Sequence, residues 1–110
     1  MVLEWQADGL VDLDYTVFVH LLDAGGGIVR QHDGMPAGGT RPTKTWALDT
    51  PVYDSITIDL PADLPVGEYR LVTGMYHWHT PDQRLAVLDE AEAAVPNNAI
   101  LLPVTVSVVP

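Results

Sequence analysis

The stretch Ile56 to Tyr76, ITIDLPADLPVGEYRLVTGMY, constrains the fold more than any other part of the chain. Ile56, Ile58 and Leu60 alternate with Thr57 and Asp59, the period-2 pattern of a strand with one buried face. Pro61 ends that ladder because it has no N–H to donate. Leu64-Pro65-Val66-Gly67 then turns the chain, and Gly67 can take a positive φ at little steric cost. Beyond the turn, Tyr69, Leu71, Thr73 and Met75 share one face of a second strand.

Leu64-Pro65-Val66-Gly67-Glu68-Tyr69 resembles the tyrosine corner of immunoglobulin-like sandwiches. There, a Tyr that opens a strand returns its hydroxyl to upstream backbone. We assign Tyr69 that role, with Gly67 as its turn residue. The motif specifies architecture and is silent on chemistry. Other segments extend the all-β pattern. Val2 to Gln6 reads as a short strand with Leu3 and Trp5 on one face. Tyr15 to Leu22, YTVFVHLL, is β-branched and aromatic on both faces, as expected of a central strand. Asp23 to Gly27 supplies a hairpin turn and Ile28 to His32 the return strand. If that turn is tight, His20 and His32 are diagonal neighbours on one face. Asp33 to Pro51 reads as a long ordered loop pinned by Trp46, and Val52 to Leu60 as the next strand. Thr80-Pro81-Asp82-Gln83 has the composition of a turn, leading into a strand from Arg84 to Leu88. Asp89 to Val95 is too short to hold a helix alone and reads as a loop. Ala99 to Val109 is the last strand, with Val104, Val106 and Val108 on one face and Pro103 at a bulge or edge. The expectation is an immunoglobulin-like antiparallel β-sandwich of about seven strands in a single domain spanning residues 1–110.

The order of landmarks resembles a known family. Trp5-Gln6, Tyr15 to Asp23, His32-Asp33-Gly34 with Pro36, and Pro42-Thr43 with Trp46 open the series. Asp54, Leu60-Pro61, Pro65-x-Gly67-x-Tyr69-x-Leu71, Gly74-x-Tyr76 and Arg84-Leu85 continue it. Together they resemble the C-terminal β-sandwich domains of bacterial polytopic membrane proteins of the glycosyltransferase-39, protein-mannosyltransferase-like type. In such proteins the catalytic acids lie in the membrane part, so no catalytic residue carries over. The resemblance implies a non-catalytic accessory domain on the extracytoplasmic face of a bacterial membrane. Its partner would be the membrane-embedded part of the parent protein, or a glycan. Two departures stand out. Ala47 to Pro51 lacks the Pro-Gly usual before the strand, and a strand expected ahead of Val2 is missing. The chain opening inside a strand pattern also suggests a piece of a longer protein. The uncovered terminal strand would leave an edge able to pair with a second copy as a homodimer.

Composition narrows the alternatives. Fifteen acids against five bases give a net charge of −10, a surface that repels nucleic-acid phosphates and anionic lipids. The absence of Cys removes disulfides, thiolate chemistry and Cys-based zinc sites. Nucleophiles are sparse, no Gly-x-Ser-x-Gly elbow or phosphate-binding loop occurs, and the acids are scattered over turns. We therefore expect neither catalysis nor a cofactor. The acidic loop with Asp8, Asp12 and Asp14 reads as a solvated connection, since calcium wants tighter oxygen spacing. Four histidines give a metal alternative. His77 and His79 would point to one side of an extended strand, and His20 and His32 would pair across their hairpin. Three tryptophans give a carbohydrate alternative, as a free-standing binding module. Trp46 and Trp78 lie beside loops, and Asp33 and Asp54 could accept from sugar hydroxyls; Trp5 reads as core. Against this stands the reading in which all three indoles fill or cap the sandwich.

Overall fold

A computed structural model describes residues 1–110 except Asp8, Leu10, Asp12, Asp49, residues 89–92 and Pro110. Seven strands are described: β1 (Val2–Trp5), β2 (Thr16–Leu22), β3 (Ile28–Gly34), β4 (Val52–Ser55), β5 (Gly67–His77), β6 (Thr80–Arg84) and β7 (Ile100–Val108). They form an all-β antiparallel sandwich. One sheet has five strands in the order β3-β2-β5, with β6 and β7 both on the far edge of β5. The other is the β1–β4 pair, extended by Met1, which exchanges backbone hydrogen bonds with Ile56.

The core lies where the sheets face each other. Val17, Val19 and Leu21 from β2 and Tyr69, Leu71 and Met75 from β5 meet Leu3, Val52, Ile56 and Trp46. Burial of this apolar surface is the main favourable contribution to folding. Alternation explains the choice of residues, because β5 buries Tyr69, Leu71, Thr73 and Met75 and exposes Glu68 and Arg70. Thr73 is a polar exception satisfied within the sheet, its hydroxyl donating to the Phe18 carbonyl over 2.8 Å. The tyrosine corner is formed, with the Tyr69 hydroxyl donating to the Pro65 carbonyl over 2.6 Å. Trp46 pins the loop after β3 by burying its indole and donating Nε1–H to the Arg41 carbonyl over 2.8 Å.

Several details differ from the sequence reading. Gly67 has a positive φ of 155° but opens β5 opposite Val108, while the hydrogen-bonded turn lies at Pro61–Leu64. Val52 to Leu60 pairs only as far as Ile56, although Ile58 keeps facing the core. The last hairpin turns earlier than expected. His77 pairs with Thr80, so Trp78-His79 is the turn and Pro81 belongs to β6. Pro103, by contrast, sits as expected at an irregularity, since the partners of Arg70 and Val72 on β7 are Thr105 and Leu101. There its missing N–H breaks no ladder bond. The expected loop between Asp89 and Val95 lies largely outside the described residues, as does the Val104 side chain.

The outer face of the large sheet has its own buried centre. Phe18 is directly opposite Gly74 and is almost fully buried. A Cβ on Gly74 would sit 2.6 Å from the Phe18 ring and 2.6 Å from the Asn98 carbonyl oxygen. The missing side chain is what lets the ring and the segment at Pro96–Asn98 close over the sheet. The Arg84 guanidinium lies 4.5 Å above the Phe18 ring and donates to the Asn97 carbonyl over 3.0 Å.

Two substitutions check this arrangement. Tyr69→Phe removes one half-buried hydrogen bond and keeps the ring, so urea unfolding should show a loss of about 1 kcal/mol. An unchanged midpoint would mean that the corner contributes nothing. Gly74→Ala should be worse, at about 1–3 kcal/mol, because backbone as well as a ring must move aside.

Candidate functional site

The residues singled out by sequence fall in three places. The first is the outer face of the large sheet. Asp33 stands opposite Phe18, and its Oδ2 accepts from the Tyr76 hydroxyl over 2.6 Å. That bond spans β2 to join β5 to β3. The Tyr76 phenol is pushed up to about 12, chiefly because it donates to Asp33, with burial and the Asp33 charge adding to the effect. His20 lies beside Phe18, with ring centroids 4.7 Å apart. Burial, and then the Arg84 charge, lower its pKa below the ordinary 6.5, while Asp33 opposes them.

The second is the tip of the β5–β6 hairpin. Trp78 is 66% exposed, the largest aromatic surface left to solvent among the described residues. Its ring centroid is 3.5 Å from that of His79, and the His77 and His79 rings stack at 5.3 Å. The His79 N–H approaches His77 Nδ1 at 3.3 Å, and Tyr15 meets the His77 ring edge-on at 6.2 Å. A two-residue turn forces this crowding, since it projects neighbouring side chains from one point.

The third is a cleft of about 370 Å3 between the edge of the large sheet and the small sheet. His32 and Gly34 on β3, Met35, Gly38 and Gly39, and Asp54 and Ser55 on β4 line it. Asp54 is 4% exposed and shares the inward face of β4 with Val52. Its Oδ1 accepts from the Ala37 N–H over 3.0 Å.

Two expectations need correction. His20 and His32 are not diagonal neighbours. The register at the turn end pairs Leu22 with Ile28, but Leu21 pairs with Arg30, leaving Val29 as an extra residue. One inserted residue flips the parity of the rest of the strand. His32 is therefore opposite Val19 on the inner face, while His20 is opposite Gln31 on the outer face. His77 and His79 do not share a strand either, because His79 belongs to the turn. The four histidines thus occupy three separate places, and among the described residues no group of three or more His, Asp or Glu converges as a metal site would need. Trp46 is the second correction. At 8% exposure, with its N–H spent on Arg41, it is core and offers no face to a sugar. The expectation for Asp8 and Asp12 lies outside the described residues, and Asp14 accepts from the Lys44 N–H.

Comparison with family models, curated proteins and solved structures finds no match to this chain. The chemistry of the three places must therefore stand on geometry. Sequence reasoning missed Gly38, Gly39, Met35 and Ser55 as neighbours of Asp54. The available signal was Asp54 itself, an acid in phase with Val52 and Ile56 on a core-facing pattern.

The outer-face cluster yields a pH prediction. Because the folded pKa of His20 is depressed, its contribution to stability is complete above 6.5 and is lost as pH falls through the lower folded value. Titration of the His20 ring by NMR should give a value below 6.5, rising in Arg84→Met and falling further in Asp33→Asn. Identical titration curves in all three proteins would refute the assignment of causes.

Proposed function

We propose that this chain is a non-catalytic accessory domain that holds glycan, carried on the outer face of a membrane glycosyltransferase-like protein. The observation that carries the glycan reading is Trp78, two-thirds exposed on a hairpin tip whose other side chains are also aromatic. An indole face held out by a rigid two-residue turn suits the C–H surface of a sugar ring, and flanking imidazoles can serve its hydroxyls. Burying such a face on a ligand recovers apolar surface that folding leaves wet.

Four of the fifteen acids support the non-catalytic half of the reading. Asp23 accepts from Gly25 and Gly27 in its own turn, Asp14 from Lys44, Asp33 from Tyr76, and Asp54 from Ala37. Acids engaged in fixing backbone and sheet are poorly placed to shuttle protons. Attachment to a membrane protein and the extracytoplasmic location rest on the sequence landmarks from Leu3 to Leu88. No helix among the described residues is long and apolar enough to cross a membrane.

A panel of oligosaccharides titrated against intrinsic fluorescence tests the glycan reading. A ligand should perturb emission in the wild type, and in calorimetric titration Trp78→Ala should weaken its binding by about tenfold or more, the scale of one lost aromatic stacking contact. Trp46 emission should stay constant, since that ring is enclosed. A panel in which every oligosaccharide leaves Trp78 undisturbed would end the glycan reading.

A further inference from the structure

The cleft between β3 and β4 is built unlike the rest of the surface. A nearly buried carboxylate stands at a core-facing position of β4, in phase with Val52 and Ile56. A charged carboxylate taken from water needs several donors to offset the loss of hydration. Among the described residues, Asp54 receives one, from Ala37. The bulge that leaves Val29 unpaired turns His32 inward toward the same cleft. Gly34 keeps room for that ring: a Cβ there would lie 3.3 Å from His32 Nε2.

The loop behind the cleft is strained at Ala37. Ala37, Gly38 and Gly39 have φ of 54°, 63° and 88°, and only the two glycines adopt such values freely. Ala37 is held there by Asp54 at its N–H, and by the Thr40 N–H and hydroxyl at its carbonyl. Strain fixed by surrounding bonds is a recurrent property of ligand sites.

We infer that this cleft binds a single hydroxyl-rich ring, one sugar unit, through Asp54 and His32. Each hydroxyl of such a ring both donates and accepts. Asp54 accepts from a donor-rich ligand, while the His32 imidazole can donate or accept. The Met35 thioether offers an adaptable apolar contact to the C–H face. The volume, about 370 Å3, lies at the low end of small-molecule sites, which span about 300–1,000 Å3. It has room for one ring. The inference deepens the glycan reading, with the tip as the platform for an extended chain and the cleft as the socket for one unit.

Methyl glycosides of glucose, galactose and mannose are the probes, added at millimolar concentration to the ¹⁵N-labelled protein. One of them should shift the amide signals of Gly34, Gly38 and Gly39. Asp54→Asn keeps an acceptor for Ala37 and removes the charge, so it should weaken that response about tenfold, as losing a charge-assisted bond does. His32→Ala, at a half-buried position of the edge strand, should weaken it with the far-UV circular dichroism unchanged and so stands if Asp54→Asn is unstable. Trp78→Ala should leave the response intact. Shifts confined to residues 77–79 would overturn the cleft and leave the tip reading standing. Silent glycine amides with all three probes, or equal responses in wild type and His32→Ala, would overturn the cleft whatever the oligosaccharide panel shows at Trp78.

Discussion

The pairing of β2 with β5 is the interaction on which everything else depends. Seven consecutive residue pairs, from Thr16 with Tyr76 to Leu22 with Arg70, run without a slip. Since opposed residues share a face, this single register decides both surfaces of the large sheet. It sets Val17 against Met75, Val19 against Thr73 and Leu21 against Leu71 on the inner side. The same register sets Phe18 against Gly74 on the outer side, so the outward phenyl ring of β2 meets a residue with no side chain to obstruct it. A shift by one would exchange these faces and leave both layers without a core.

Against that fixed pair, the edge strand β3 has freedom, and the bulge at Val29 uses it. On the turn side of the bulge, β3 follows the register the hairpin alone would set. Beyond it, every side chain has changed sides. His32 and Gly34 turn inward, and Asp33 turns outward to meet Tyr76. The cleft and the outer polar bridge are therefore two results of one inserted residue. Neither could exist with the other parity.

How far the sequence anticipated this depends on the range of the interaction involved. Tyr69 and Pro65 are four residues apart, so their bond was readable from a local motif. Inward alternation along β5 and the turn at Asp23–Gly27 were equally local. The position of His32 was not, because a bulge arises from the competition of β3's side chains with a neighbouring strand. Trp46 and Trp78 both sit beside loops in sequence, yet one is enclosed and the other is solvated. That difference comes from which loop folds back over the core, a long-range matter. The last turn was misplaced because Pro81 looked like its second residue. The chain reverses three residues earlier, and Pro81 lies on an edge strand, where its missing N–H does no harm.

The strand β5 also carries an asymmetry in time. Its far edge is shared, with β6 against the end at Tyr76 and His77 and β7 against the stretch from Gly67 to Thr73. The β6 partner arrives through a two-residue turn, so its loop is closed almost as soon as the turn forms. The β7 partner arrives only after the whole segment from Leu85 to Ala99 has been gathered in, a longer loop with a larger closure entropy. The half of β5 that bears Tyr69 is thus the half whose edge is completed last. With its hydroxyl bound only four residues upstream, Tyr69 can hold the start of β5 in place while that edge waits for the C-terminal strand.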